Sequence, residues 1–507
     1  MNVQALNSPG WSWFRLWMRP SPGATVPELE QSLQTVFAEQ HRRDVKSLPP
    51  ETPRQRIDAY LNERIRLLPA GAGASGMQQD FRRPLLILAA LVLLVLLVAC
   101  ANVANLLVAQ SLARGREMAL RLAIGADRWR LIRLVLVESA MLAVSATIVG
   151  LIFGSWASPL IVSMLSPTED PVRLALDTDW RTLAFALALA TSVTCLFGLA
   201  PAVRASSFTP LSALKGDSDP RGQRRLMKVV VGAQMAFCVF VLFVAVLFIA
   251  TFARLSRQPL GFSHERLLLV DAQWPGRSQP SEVWRSITEQ LRQTPGVEAV
   301  AFSGWAFLSE SRWTGAVFVP GRPIETRPAY FLDVSPGFFE TLRVGMVEGR
   351  DFRPGDVAPT VTQRDEPVAG IAIVNTAFAR VYFDGQNPVG RQVMIRVRNL
   401  VQVPTEIVGL VTDTAYANVR DPIRPIVYVP VESRSNGTFT VRTAGAPLML
   451  ASTIRRLVSG ARANTRVQVL PMASLVRRQM IRERLLAILT GFFALVTLLL
   501  ACRRRTG

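Results

Sequence analysis

Residues able to do acid–base, nucleophilic or metal chemistry are thinly spread in this chain. The histidines are His41 and His264, with no clustered Cys, Asp or Glu partners. Neither a metal site nor a histidine-based triad is expected from them. Cys100, Cys195, Cys238 and Cys502 each lie inside or at the edge of an apolar block, which suits plain packing rather than a disulfide framework. A nucleotide P-loop needs GxxxxGK[ST], whose lysine reaches the phosphates. The lysines are Lys46, Lys215 and Lys228, and none follows a glycine in that pattern. Asp351, Asp356, Asp413 and Asp421, with Glu310 and Glu340, are scattered and read as solvated turn residues. No catalytic, metal or cofactor-binding residue is assigned, and no enzymatic activity is expected.

The concentrated charge lies elsewhere. Residues 114–130 read RGREMALRLAIGADRWR, between two long apolar runs. Arg114, Glu117, Arg121 and Arg128 fall on one stripe at helical spacing, and Met118, Leu122, Gly125 and Trp129 on a neighbouring one. Glu117 stands three residues after Arg114 and four before Arg121, within reach of both. Glu138 lies just inside the following apolar run, where an ionisable group is a functional candidate.

The elements that hold this helix follow from composition. Of 507 residues, 50% are hydrophobic, and these are gathered in blocks. The net charge is +20, from 57 basic and 37 acidic residues. The basic residues sit beside the apolar blocks, so membrane topology accounts for them and no nucleic-acid partner is expected. Segments near 84–108, 131–165, 183–203, 229–252 and 485–502 are apolar for long enough to cross a bilayer. The loops 109–130 and 204–228 and the terminal Arg503-Arg504-Arg505 are basic, whereas loop 166–182 carries Glu169, Asp170, Asp177 and Asp179. The positive-inside rule then places the basic loops in the cytoplasm and residues 1–82, 166–182 and 253–482 outside.

That topology lacks a span before residue 1, since no signal peptide precedes the outer segment. A duplication accounts for it. RIRLLP at 64–69 and RVQVLP at 466–471 are each followed, at the same distance, by Ala-Cys in an apolar span (Ala99-Cys100 and Ala501-Cys502). Each is also preceded by a strand-like and a helix-like stretch. The chain is expected to begin late in the outer domain of a first copy and to end after the second span of a second copy. The closing RRRTG is the ending that a frameshift or premature stop would leave.

The outer segment reads as α/β. RLLLVDA (266–272), SEVWRSITEQLRQ (281–293) and VEAVAFSG (297–304) form a strand, an amphipathic helix with Val283, Ile287 and Leu291 at helical spacing, and a strand. TFTVRTA (438–444), LMLASTIRRLV (448–458) and TRVQVLP (465–471) repeat the pattern. The two units are expected to pair into one layer, with a β-rich insertion between them.

RGREMALRLAIGADRWRLIRLVLVESAMLA resembles the cytoplasmic helix and following span of the FtsX-like permease family, relatives of the MacB exporter within type VII ABC systems. GLAPAVRASSFTPLSALKGD (198–217) resembles that family's exit from its last span. VSPGFFETLRVGMVEGRDF and IVNTAFARVYFDGQNPVGRQV resemble its outer core domain. A tandem copy without a fused ATPase is similar to the acidobacterial duplicated orphan permeases.

The resemblance implies a multi-span α-helical membrane protein with an extracytoplasmic α+β domain of the MacB periplasmic core type, located in the bacterial inner membrane. The implied domains are the end of a first core domain (1–82), a permease domain (83–206), a cytoplasmic linker (207–228), a span (229–252), a second core domain (253–482) and a final span (483–502). It makes 116–130 the coupling helix that docks on the ATPase, carried by Arg116, Glu117, Arg121, Gly125, Ala126 and Arg128. The implied partners are a separate ABC ATPase that uses the ATP, the lipid bilayer, and a second permease copy or a periplasmic adaptor. The implied function is coupling of ATP hydrolysis to movement of the outer domains, for efflux or mechanotransmission. The alternatives are an envelope regulator that activates a cell-wall enzyme, or an inactive fragment of a duplicated permease.

Overall fold

The computed structural model describes residues 17–45, 54–67, most of 86–99, 128–165, most of 180–192, and 220–502 apart from short gaps. In chain order the first elements are helices α1 (Val26–Val45), α2 (Arg54–Leu61), α3 (Arg128–Leu165) and α4 (Pro220–Ser256). Then come β1 (Leu267–Gln273), α5 (Ser281–Arg292), β2 (Val297–Ser303), β3 (Thr314–Gly315), β4 (Val317–Phe318), β5 (Ala329–Val334) and α6 (Phe338–Leu342). They are followed by β6 (Met346–Gly349), β7 (Thr360–Val361), β8 (Pro367–Val368), β9 (Gly370–Asn375), α7 (Thr376–Tyr382), β10 (Gln392–Arg396), β11 (Gln402–Val411) and β12 (Ile426–Pro430). The last are β13 (Asn436–Thr443), α8 (Leu448–Gly460), β14 (Arg466–Pro471), α9 (Met472–Gln479) and α10 (Ile481–Cys502). The chain divides into two compact units, residues 1–75 with 257–479 and residues 76–256 with 480–507.

The expected strand–helix–strand units are present as β1-α5-β2 and β13-α8-β14. Their strands interleave in the order β14-β1-β13-β2, a split β-α-β arrangement with antiparallel pairing throughout. Interleaving sets Val270 opposite Phe439, and Phe439 opposite Phe302. These side chains line one face, where α5 and α8 close the core. On α5 the buried residues are Trp284, Ile287, Thr288 and Leu291, so the buried stripe centres on Trp284 and leaves Val283, expected on it, at its margin. Trp284 lies 4.1 Å from both Trp274 and Phe302, ring centroid to centroid. Each fully buried large apolar side chain here contributes roughly 1.5–3 kcal/mol.

The sheet continues through β5, β12, β9, β11, β10 and β4. This is the β-rich insertion. It is mixed: β5–β12 and β9–β11 are parallel, and β9–β12 is antiparallel. Its core is built on Phe331, Val374, Phe378, Phe383, Ile407 and Val427 under helix α7. The α7 start is readable in sequence, because Asn375 caps it by accepting a hydrogen bond from Phe378 N.

Residues 17–67 differ from expectation. The stretch at 63–67 is extended but joins no strand. Instead Ile65 N donates to Gln34 Oε1 and Leu67 N to Glu30 Oε1, so α1 side chains supply the acceptors a neighbouring strand would offer. The described part of the expected strand before α1, residues 17–20, is irregular. His41, buried in α1, stacks on Tyr60 of α2 at 3.9 Å.

In the other unit, two helices among the described residues are long and apolar enough to cross a membrane, at Ala143–Leu160 in α3 and Met235–Ser256 in α4. The expected spans near 84–108 and 183–203 lie largely outside the described residues. Helix α10 packs along α4 through small and β-branched residues. Ala245 and Ala494 share one buried cluster, Cys238 lies 4.0 Å from the carbonyl of Thr497, and Thr490 and Thr497 are buried. Such residues let helices approach closely where no hydrophobic effect drives them together. Val239, Phe240, Phe243 and Val246 of α4 are more than half exposed, an apolar exterior suited to lipid.

Candidate functional site

Of the residues singled out for coupling, Arg116, Glu117, Arg121, Gly125 and Ala126 lie outside the described residues. Arg128 opens α3 and Glu138 lies within the same helix. Ten residues of helix separate them by about 15 Å along the axis, so these two do not share one site.

The described residues show a different concentration of polar structure, within the unit that holds residues 257–479. Two chain segments meet the domain there: 257–266, which follows α4, and α9, which precedes α10. Both are held by the same pair of loops, 304–308 and 413–421.

The first segment is fixed by its backbone. Leu260 O accepts from Ala415 N, and Ser263 N donates to Leu342 O, each at 2.9 Å. Gly261 has φ +78°, and a Cβ there would fall onto the carbonyl oxygen of Asp413, so the close approach requires glycine. Phe262 packs on Phe307 at 5.2 Å. Arg442, buried on β13, then donates to three carbonyls: Nε to Thr341 at 2.7 Å, Nη1 to Glu265 and Nη2 to Ser263 at 3.2 Å. Burial, and then the nearby Arg343 charge, press the Arg442 pKa below its ordinary value.

The second segment is fixed at its end. Gln479, the last residue of α9 and buried, donates through Nε2 to Leu308 O at 3.3 Å. Its own carbonyl accepts from Arg420 Nη2 at 2.5 Å. Helix C-termini leave carbonyls without intrahelical partners, and a guanidinium is a favourable partner there.

The loops are themselves seated on the sheet. Tyr416 is buried, its hydroxyl donating to Phe331 O at 2.6 Å and accepting from Trp305 Nε1 at 3.2 Å. Its ring stacks on Tyr330 at 4.6 Å, and its carbonyl accepts from Leu308 N at 2.7 Å. Burial pushes its hydroxyl pKa well up, so Tyr416 stays a neutral donor. Asp413 is not a free turn residue. It accepts from Asn375 Nδ2 (2.8 Å), Ala377 N (2.7 Å) and Arg380 Nη2 (2.5 Å), which ties the loop to α7. Asp333 and Arg434 form a two-bond pair at 2.7 Å, with the guanidinium 5.5 Å over the Trp305 ring, and hold loop 304–308 from the other side.

Among the other expected turn carboxylates, Asp351, Asp356 and Asp421 also have partners, and Glu340 lies on helix α6. Asp351 accepts from Gly337 N and Phe352 N, Asp356 pairs with Arg350, and Asp421 with Arg312. Glu310 lies outside the described residues. Asn375 had a local signal, its place before a helix. Tyr416, Arg420, Arg442 and Gln479 had none, because their partners are 59 to 179 residues away in sequence. This arrangement contains no nucleophile–base pair. It is built to hold backbone in place.

Comparison with known proteins gives this architecture its relatives. Residues 89–210 match the model of the FtsX-like permease C-terminal domain, and residues 234–468 that of the MacB-like periplasmic core domain. The macrolide export ATP-binding/permease protein MacB of Rhodopirellula baltica is 27% identical over 229 residues, covering 40% of this chain and 32% of that protein. The protein of the same name from Marinobacter nauticus is 30% identical over 122 residues, 24% of this chain and 18% of the relative. The chain thus spans a third or less of the curated relatives it matches. Among solved structures, the periplasmic region of MacB from Actinobacillus actinomycetemcomitans covers 44% of this chain and 96% of its own, with 13% identity and a TM-score of 0.30. The extracellular domain of the noncanonic ABC-type transporter YknZ, from Gram-positive bacteria, covers 39% and 99%, with 16% identity and a TM-score of 0.26. With an FtsX-like domain and a MacB-like periplasmic core domain in one sequence, the chain is similar in its parts to the MacB-type permeases of ABC systems.

Proposed function

We propose that this chain is a multi-pass inner-membrane permease that couples ATP hydrolysis, carried out at a site outside this sequence, to movement of its outer domain. One observation carries the reading: an FtsX-like domain and a MacB-like core domain occur in the same chain, with the charged stretch 114–130 leading directly into helix α3. Arg116, Glu117, Arg121 and Arg128 face the ATPase, and Gly125-Ala126 ends or turns the helix. Movement there passes through the spans to the outer domain, which handles cargo or a periplasmic partner. The ATP is used by the separate subunit; none of the three lysines of this chain stands in a phosphate-binding loop.

The test is co-purification from membranes with a candidate ABC ATPase of the same organism. Glu117→Lys combined with Arg121→Glu is expected to reduce the recovered ATPase at least tenfold, the loss of about 1.4 kcal/mol or more of binding, while leaving the permease in the membrane. Undiminished recovery would remove the coupling role from this helix.

A further inference from the structure

The chain segments on either side of the outer domain are gripped by one element. Loop 413–421 receives Leu260 O on Ala415 N and carries Asp413 O under Gly261, so it holds the segment that follows α4. The same loop sends Arg420 to the carbonyl of Gln479, so it also holds the end of α9, separated from α10 by Met480 alone. Loop 304–308 repeats the double grip, through Phe307 on Phe262 and through Leu308 O on Gln479 Nε2. Tyr416 binds the two loops to each other by Leu308 N on its carbonyl and Trp305 Nε1 on its hydroxyl. Its hydroxyl and ring bind both to β5, at Phe331 O and Tyr330.

We propose that loop 413–421, seated by Tyr416, is the mechanical joint of the molecule: it couples displacement of segment 257–266 to displacement of α9 and delivers both to strand β5. The proposal rests on the permease reading above and names the residues that would carry its motion. The physical argument is stiffness. A close-packed interior transmits strain instead of absorbing it. Tyr416 is buried with its hydroxyl bonded on both the donor and the acceptor side, so the loop cannot shift without shifting its neighbours. The bonds to both segments are made by main-chain atoms or to main-chain carbonyls, so they report backbone position directly.

The experiment perturbs one segment and reads the other, by hydrogen exchange on the full chain in lipid nanodiscs. Phe262→Ala removes the contact with Phe307 on the first segment; Gly261→Ala, which forces the backbone off Asp413 O, is the second variant. The joint predicts about tenfold faster exchange of the amides at 473–479, the scale of one lost hydrogen bond to a charged donor. Amides of β13 and β14 should hold their wild-type rates. Adding Tyr416→Phe should abolish the transfer, so that the double variant shows no further change at 473–479 from the Phe262 substitution. Val458→Ala, in the distant α8 core, controls for general loosening. Unchanged exchange at 473–479, or a change spread equally over β13, β14 and α9, overturns the joint. The ATPase co-purification assay reads the permease assignment independently, because it does not involve these residues.

Discussion

Arg442 Nε donates to the carbonyl oxygen of Thr341 at 2.7 Å, which places a buried guanidinium at the C-terminal end of the short helix α6. Its other two hydrogen-bond partners are also main-chain carbonyls, those of Glu265 and Ser263. A cation hydrogen-bonded only to carbonyls is expensive to bury, and burial depresses its pKa despite the nearby Glu298 charge. What it secures is the junction of β13, α6 and the segment that follows α4. Arg442→Met removes the donor and strands three acceptors. We expect a loss of about 3 kcal/mol in full-chain stability. Arg442→Lys, which keeps the charge but not the fork, should recover only part of it. Thermal unfolding of the two variants side by side measures both.

Asn375 uses both ends of its amide. Oδ1 accepts from Phe378 N and Ile426 N, and Nδ2 donates to Asp413 Oδ1 and Arg424 O. Asn375→Asp preserves the cap but turns a donor into an acceptor 2.8 Å from a carboxylate. The expected cost is about 2–4 kcal/mol at pH 7. It should shrink as the pH falls below the carboxylate range, because protonation restores a donor. An acid-insensitive defect would show that the loss comes from shape alone.

Two aspartates of the outer domain should tilt the pH profile in opposite directions. Burial raises the Asp271 pKa, against the hydrogen bond it accepts from Thr438. Its folded form therefore holds the proton more tightly than the unfolded chain. The resulting penalty is absent below the ordinary carboxylate pKa and grows as the pH rises through the raised folded value. Asp271→Asn should be more stable than wild type at neutral pH and equal to it in acid. For Asp356, burial pushes upward, but the Arg350 guanidinium, bonded at 2.8 and 3.3 Å, and the Arg353 amide outweigh it and lower the pKa. Its contribution is present above the ordinary carboxylate pKa and lost as the pH falls through the lowered folded value. Asp356→Asn should be less stable at neutral pH and converge with wild type in acid. Denaturant midpoints from pH 3 to pH 8 decide both.

Trp284 fills the first core, yet its Nε1 is buried without a partner among the described residues. Trp284→Ala should cost about 4 kcal/mol through the cavity it leaves. Trp284→Phe should cost much less, because it deletes an N–H that gains nothing in the folded state. Equal losses for the two would mean that the indole N–H does have a partner in solution.

Much of this protein is legible from composition and period. The apolar blocks at 131–165 and 229–252 became the long helices α3 and α4, since apolar runs of that length, one carrying only Arg133 and Glu138 near its start and the other no charge, have few other stable forms. The strand–helix–strand units around SEVWRSITEQLRQ and LMLASTIRRLV were visible because alternation and helical spacing are local properties. Helix α7, by contrast, was not read from the insertion, although Asn375 before TAFARVY is the kind of residue that caps a helix. The structure alone decided that β1 inserts between β13 and β14, and that Asp413, scattered in sequence, organises α7 and the loop after β11. It alone paired Arg420 with Gln479, and Tyr416 with the carbonyl of Phe331. Those bonds join residues far apart along the chain, and their donors are common surface types. Only burial made by the completed sheet turns an arginine or a tyrosine there from a solvated side chain into a fixed tie.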